Sequence, residues 1–407
     1  MEVVYRCCCG IDVHKKMIVA CLIKGGKREL REFGTTTGEI RDLADWLDKS
    51  GCEMIAMEST GVYWKPLYNM FEITGLEAII VNAAHMKALP GRKTDIKDAE
   101  WIADLLRHGL LKASYIVDRE KRELREASRY RKSLIEERSR ELNRLQKILE
   151  GANIKLASVV GDINGKSARN LIGKIIADKV PDNADEVAEL LYGKTRQKLD
   201  EIMLAIDGIV TPMQRRMLAN VVDHIDDMTR RIDNMDTLIE EYTKQYERAI
   251  NLLEEIPGIA RRSAEVILAE IGIDMSRFPT HSHLCSWAGV CPGNRQSAGK
   301  RGSGKSNKGN RTLKTTLVQC ARSACRGKDS YFSAQYHRIA AHRGDKRAVL
   351  AVAHSMLIAI YHMLSDGTVY KDLGADYYDN FNRDHKIRGY LKRLKSLGWT
   401  PENALLA

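Results

Sequence analysis

Four acidic residues stand where one metal ion could use them together. Asp12 closes the first apolar run, after Gly10-Ile11, and Glu58 closes another, Met54–Met57. Asp95 and Asp98 open a helical pattern three residues apart, so they share a face that continues with Ile102 and Leu106. Carboxylates on a core-facing stripe are costly unless something positive compensates them. Four converging acids would repel one another, and a hard divalent cation with oxygen ligands, Mg²⁺ or Mn²⁺, removes that repulsion. Such an ion polarises a phosphoryl oxygen and stabilises a leaving oxygen. Each acid also has a plain structural reading. Asp95 suits the first turn of a helix with Thr94 as cap, and Glu58 can simply end a strand. His14, Lys15 and Lys16 follow Asp12 as phosphate-steering groups or as a solvated turn.

The elements that must carry these acids are legible along residues 1–115. Val3–Val13, Lys16–Ile23 and Lys27–Gly34 read as strands, the last two joined by a Gly25-Gly26 turn. Gly38–Lys49 reads as a helix, Cys52–Glu58 as a short buried strand, Val62–Thr74 as a helix and Glu77–Asn82 as a strand. A helix then runs from Asp95 to about Arg107. Three strands in hairpin order followed by α-β-α-β-α is the order of an RNase H-like fold, which other α/β folds share in part. In that sheet the strands ending in Asp12 and Glu58 lie side by side and parallel, which brings the two acids together.

The remaining chain reads as helical. Residues 116–255 form a helical region with an insertion at 151–215 whose short segments resist assignment. Leu218, Val221, Ile225, Met228, Ile232, Met235, Ile239, Tyr242, Tyr246, Ala249 and Leu253 recur at alternating spacings of three and four, a heptad seam that predicts one long coiled-coil helix. Its partner is either residues 118–150 or a second subunit. Residues 256–366 form a further, mainly helical domain. It opens on Ile256-Pro257-Gly258-Ile259, which fits either a phosphate-binding helix-hairpin-helix or a plain packing corner. A tail, 367–407, follows.

The chain has 407 residues and a formal charge of +11. The excess is local: Arg295 to Arg347 holds fourteen Lys or Arg against Asp329 and Asp345. Within it, Gly, Ser and Asn space the cations over Gly299–Asn310, as a loop approaching a nucleic-acid backbone requires. Arg295, Lys300, Arg301, Lys305, Lys308, Arg311 and Lys314, together with Lys15, are the candidate backbone contacts. Nine cysteines without a CxxC pair point to free, mostly buried thiols in a reducing cytoplasm. No apolar run reads as a membrane span, and the N-terminus does not read as a signal peptide.

Four stretches carry a resemblance. Gly10-Ile11-Asp12-Val13-His14-Lys15, Met57-Glu58-Ser59-Thr60-Gly61-Val62-Tyr63-Trp64, Lys93-Thr94-Asp95-Ile96-Lys97-Asp98-Ala99 and Cys291-Pro292-Gly293-Asn294-Arg295-Gln296-Ser297-Ala298-Gly299-Lys300 resemble, in order, the insertion-sequence 110 family of transposases. The resemblance runs from about residue 6 to 380. It implies a RuvC-type RNase H-like domain whose Asp-Glu-Asp-Asp set is Asp12, Glu58, Asp95 and Asp98, and a C-terminal transposase domain whose nucleophile is Ser297. It further implies donor and target DNA, a guide (bridge) RNA encoded by the element, and dimers or tetramers in which the acids of one subunit meet the serine of another. Many members have Ser-Gly-Gly where this chain has Ser297-Ala298-Gly299, and Ser303 and Ser306 stand nearby. Two other readings remain open from the residues: a metal-only nuclease of the Holliday-junction kind, and a non-catalytic nucleic-acid scaffold.

Overall fold

The computed structural model describes residues 2–59, 61–82, 98–292, 296–297, 300–301, 306, 308–381 and 383–399, with the backbone alone at 296, 297, 300, 301, 379 and 384–386. The chain forms two compact units, Met1–Arg119 and Glu120–Ala407.

The first unit is built on a five-stranded sheet of order β3-β2-β1-β4-β5. Its strands are β1 (Cys7–Val13), β2 (Ile18–Lys24), β3 (Lys27–Phe33), β4 (Met54–Glu58) and β5 (Ala78–Val81). β1, β2 and β3 are antiparallel neighbours, whereas β1, β4 and β5 run parallel. Both faces are covered, which is why β1 and β2 read as unbroken apolar runs. Helices α1 (Thr37–Lys49) and α2 (Trp64–Thr74) pack on the face of Cys7, Cys9 and Ile11. Helix α3 (Asp98–Arg107) packs on the face of Cys8. The outer strand β3 is charged and exposed, which discourages pairing with another sheet edge.

Four expected strand starts move inward, Val3 to Cys7, Lys16 to Ile18, Cys52 to Met54 and Glu77 to Ala78, the first two for a visible reason. The first strand begins at Cys7 rather than Val3, because the N–H groups of Val4 and Tyr5 donate to the Arg107 carbonyl at the end of α3. The second begins at Ile18 rather than Lys16, because residues 14–17 form the turn closed by His14 N–H to Met17 O at 2.9 Å.

The second unit starts on a pair of long helices, α4 (Arg119–Gly151, whose first residue closes the first unit) and α9 (Pro212–Thr243). α9 opens on a capping box, Thr211 with Gln214, and has Pro212 in its first turn. The helices are antiparallel. Arg131 pairs with Asp236, Arg138 donates to Thr229 Oγ1 at 3.3 Å, and Leu145, Ile148 and Leu149 share a core with Leu218, Val221 and Ile225. The seam on α9 therefore has a partner within the chain. The expected continuous helix from 218 to 253 is corrected: α9 stops at Thr243, residues 244–246 form a 3₁₀ turn, and α10 (Glu247–Glu254) follows. Tyr242 is exposed and Thr243 takes the buried position. The turn re-phases the stripe onto Ile250 and Leu253.

Four short helices fill the insertion: α5 (Leu156–Val159), α6 (Lys166–Ile176), α7 (Ala184–Leu190) and α8 (Leu199–Ile206). They close a core over the end of the α4–α9 pair. Beyond α10 come α11 (Arg261–Ile271), α12 (His281–Ala288), the two-residue strands β6 (Gln296–Ser297) and β7 (Lys300–Arg301), α13 (Arg311–Ala324), α14 (Tyr331–Arg343), α15 (Asp345–Asp366), α16 (Tyr377–Asn380) and α17 (Arg383–Ser396).

The Pro-Gly corner between α10 and α11 is a packing corner. Gly258, at φ +87°, sits so close to α13 that a Cβ there would lie 2.4 Å from the Cys320 carbonyl oxygen. Against the expectation that no apolar run spans a membrane, α15 is long and apolar enough to cross one. Its Val349, Val352, Met356 and Ile360 are buried, and it packs against α12, α13 and α14 as a core helix.

Candidate active site

Backbone hydrogen bonding decides where the first unit's acids go. β1 and β4 pair in parallel with Gly10 opposite Ala56 and Ile11 opposite Met57. The next residues on the two strands are Asp12 and Glu58, so the two acids end adjacent strands. Helix α3 runs against β1 in the opposite sense. Its last residue, Arg107, accepts from Val4 and Tyr5 before the strand begins, Cys8 Sγ faces the Ala103 carbonyl, and Gly10 faces Ala99 and Ala103. Asp98, the first residue of α3, therefore lies at the end of β1 that carries Asp12. Ile102 and Leu106 continue its stripe into the core, as the sequence pattern requires.

The contact at Gly10 makes this arrangement possible. A Cβ there would lie 2.2 Å from the Ala103 nitrogen and 2.4 Å from the Ala99 carbonyl oxygen. Glycine on the strand and alanines four apart on the helix let the two backbones touch. The sequence reading used Gly10 only as part of a motif and gave it no structural role.

Asp12, Glu58 and Asp98 are all partly exposed at the rim of the sheet. His14 Nε2 lies 3.0 Å from Asp12 Oδ2, so His14 contacts an acid directly. Lys15 is exposed in the same turn. Asp95 lies outside the described residues. Among the described residues, no three His, Cys, Asp or Glu side chains gather closely enough to hold a metal. The donor chemistry fits a hard divalent ion, since Asp12, Glu58 and Asp98 offer carboxylate oxygens alone.

In the second unit Ser297 lies in β6, paired antiparallel with β7 so that Ser297 faces Lys300 and Gln296 faces Arg301. A further bridge joins Pro292 to Ser306 and closes the neck of this hairpin. Lys314 Nζ donates to Ser306 Oγ at 2.6 Å, so two sequence candidates are engaged with each other. Lys308 and Arg311 are exposed where the loop enters α13. Arg295, Lys305 and Ser303 lie outside the described residues, and the side chains of Lys300 and Arg301 are not described. Asn310 caps α13, its Oδ1 accepting from the Leu313 N–H at 3.1 Å.

The cysteines are the free thiols expected, with Cys7, Cys8, Cys9, Cys21, Cys285 and Cys320 buried. Burial pushes the Cys8, Cys52 and Cys285 thiols up to about 12. The consecutive Cys7, Cys8 and Cys9 alternate between the two faces of the sheet. Sequence reasoning missed the buried acids Glu265 and Glu270 on α11. Their signal was there to read: two carboxylates set inside the apolar run Ala264–Ile271.

Comparison with known proteins agrees with this layout. A DEDD transposase family model matches residues 9–154, and the model of the transposase IS116/IS110/IS902 family matches residues 250–337. A protein of Streptomyces coelicolor named as an uncharacterised 43.6 kDa protein of insertion element IS110 is 27% identical over 311 residues, 69% of this chain and 73% of the relative. The first match spans the acids and the second spans the Ser297 hairpin, and both are transposase models, so the class is that of an enzyme acting on DNA. The chain belongs to the IS110 family of transposases. Membership suggests use of a divalent metal and implies DNA as substrate.

Proposed function

We propose that this transposase cuts and rejoins DNA strands through a divalent metal held by Asp12, Glu58, Asp95 and Asp98 and through Ser297 as covalent nucleophile. The observation that carries the reading is the parallel β1–β4 register, which ends both strands in an acid, with the start of α3 at the same end. The strand order β3-β2-β1-β4-β5 supports an RNase H-like domain of the RuvC type. When bound, Mg²⁺ or Mn²⁺ would polarise a non-bridging phosphate oxygen and lower the cost of the leaving oxygen's charge.

The chain's own groups do the rest. Ser297 Oγ attacks phosphorus, the Oγ–P bond forms as the P–O3′ bond breaks, and the serine proton ends on the 3′ hydroxyl. The phosphoserine ester conserves the bond, so a 3′ hydroxyl from another strand reverses the step without ATP. Lys308 and Arg311, beside the hairpin, together with Lys15, Arg295, Lys300, Arg301, Lys305 and Lys314, hold nucleic-acid backbone. A guide RNA supplies target choice, and two or more copies act together in the cytoplasm on the cell's DNA.

The test is strand cleavage of a plasmid carrying the element with its flanks, together with RNA transcribed from those flanks. Ser297→Ala should abolish cleavage and the covalent protein–DNA adduct, and excess chelator should do the same. Cleavage by Ser297→Ala at the wild-type rate removes the serine step and favours water as nucleophile. Cleavage in excess chelator removes the metal.

A further inference from the structure

Glu270 is the next-to-last residue of α11 and is 1% exposed. A carboxylate so far from water persists only when donors meet both its oxygens. Arg129 on α4 does so with a two-pronged contact, Nε to Oε1 at 2.8 Å and Nη2 to Oε2 at 2.9 Å. Arg125, one turn earlier, lies 3.2 Å from Oε2 and donates through Nη2 to the Glu270 carbonyl at 2.7 Å. The remaining donor is Asn310 Nδ2, 2.6 Å from Oε2. An apolar contact between these helices would cost less desolvation. The polar node needs another explanation, and its third partner offers one.

Asn310 is the anchor of the Ser297 hairpin. It caps α13, and its N–H donates to the Trp287 carbonyl at 3.1 Å. Gly309 before it is pressed so tightly on α12 that a Cβ would lie 2.4 Å from the Gly289 nitrogen. One turn on, Lys314 holds Ser306, whose bridge to Pro292 closes the hairpin neck.

We infer that Glu270 is a positioning residue for the Ser297 hairpin, fixing its neck through Asn310 to Arg125 and Arg129 on α4. Its catalytic consequence rests on the serine reading above.

Asn310→Ser separates capping from positioning. A serine hydroxyl still accepts from the Leu313 N–H, since serine is a good cap, but it does not reach Glu270. With the full chain, the flank-bearing plasmid and flank-derived RNA, single-turnover cleavage at saturating DNA should fall about 10²-fold. DNA affinity should stay within about twofold, and Tm should fall only modestly, because Arg125 and Arg129 still meet the Glu270 oxygens. Arg129→Lys, which keeps the charge and loses the fork, should also slow cleavage. The double variant should be no slower than Asn310→Ser alone, because both cut one link. Hydrogen exchange of residues 296–310 should speed up at least about tenfold, with α15 unaffected. Wild-type cleavage by Asn310→Ser, or a rate loss accounted for by lost affinity or by unfolding at the assay temperature, overturns the inference. Unchanged exchange in 296–310 overturns it as well. If Ser297→Ala still cleaves, the serine reading fails separately and exchange alone decides the positioning role.

Discussion

Gly10→Ala tests whether the acids are placed by direct contact between strand and helix. Nothing in the backbone conformation forbids alanine, since Gly10 is absent from the positive-φ glycines. The obstacle is α3. The new methyl would lie 2.2 Å from the Ala103 nitrogen, and ordinary Cβ contacts begin at 3.4 Å, a shortfall of about 1.2 Å. The opposing atoms are helix backbone, so no side chain can swing away and α3 must retreat as a body. Overpacking of this kind costs about 1–3 kcal/mol, which lowers the Tm of a unit this size by roughly 4–12 °C. The retreat carries Asp98 away from the end of β1, and a misplacement of about 1 Å can cost about 10²-fold in rate. Calorimetry of the full chain and single-turnover cleavage of the flank-bearing plasmid measure the two effects. Gly38→Ala is the control, because a Cβ there meets nothing within 4 Å, and its expected effect is neutral to about 1 kcal/mol stabilising. Gly10→Ala with wild-type Tm and wild-type cleavage would refute the argument that this contact sets the site. Lost Tm with full cleavage would keep the packing and reject its link to the acids.

Further outcomes follow from other parts of the molecule. Ile225→Asp places a charge in a fully buried position shared by α4 and α9. It should unfold the second unit at every protein concentration, and a clean dissociation of folded subunits in light scattering would contradict the in-chain pairing. Cys8, Cys52 and Cys285 have thiols pushed up by burial to about 12. The unfolded chain ionises them nearer 8.5, so the stability from their neutral forms is complete below that pH and is lost as pH rises toward 12. Denaturant midpoints that stay flat from pH 8 to 11 would oppose this. DNA binding should weaken steeply with salt, because exposed cations such as Lys308 and Arg311 face a polyanion. A salt-independent Kd would remove the basic face from the interface.

What the sequence displayed was whatever depends on local periodicity and chain order. The β1–β4 neighbourhood, the faces of the cysteine triplet and the buried stripe of Ile102 and Leu106 all follow from strand alternation and helical spacing. The heptad seam was equally visible, but its length was overread. Tyr242 continued the apolar spacing in the sequence, whereas the structure exposes it and re-phases the stripe through a 3₁₀ turn. No local signal distinguishes an aromatic residue on the seam from one beside a turn. Residues 151–215 resisted assignment because their helices are short and gain their burial from one another and from the ends of α4 and α9, not from any long stripe of their own. Gly10 and Glu270 were invisible as structural residues for a different reason, the distance of their partners along the chain. One is defined by a helix about ninety residues away, and the other by partners more than a hundred residues away in α4.

These two residues show that the halves of the proposed site are held by different physics. The acids depend on backbone: a strand register and a glycine that lets a helix lie directly on a strand. Such a frame is insensitive to salt and, until Cys8 and Cys52 ionise at alkaline pH, to pH as well. The serine hairpin depends on charge: one buried carboxylate, two arginines and an asparagine cap. That frame tolerates changes of volume at the surface, but it fails when a single donor is lost, because the carboxylate is then left buried and under-compensated. Donor deletions should therefore damage the second unit selectively, while methyl-sized insertions reach both units, since a Cβ at Gly309 would lie 2.4 Å from the Gly289 nitrogen. A survey of donor deletions in both units, scored by cleavage and by hydrogen exchange, should find its losses in the second. A hairpin that tolerates every donor loss and yields only to Gly309→Ala would show that its placement is steric alone.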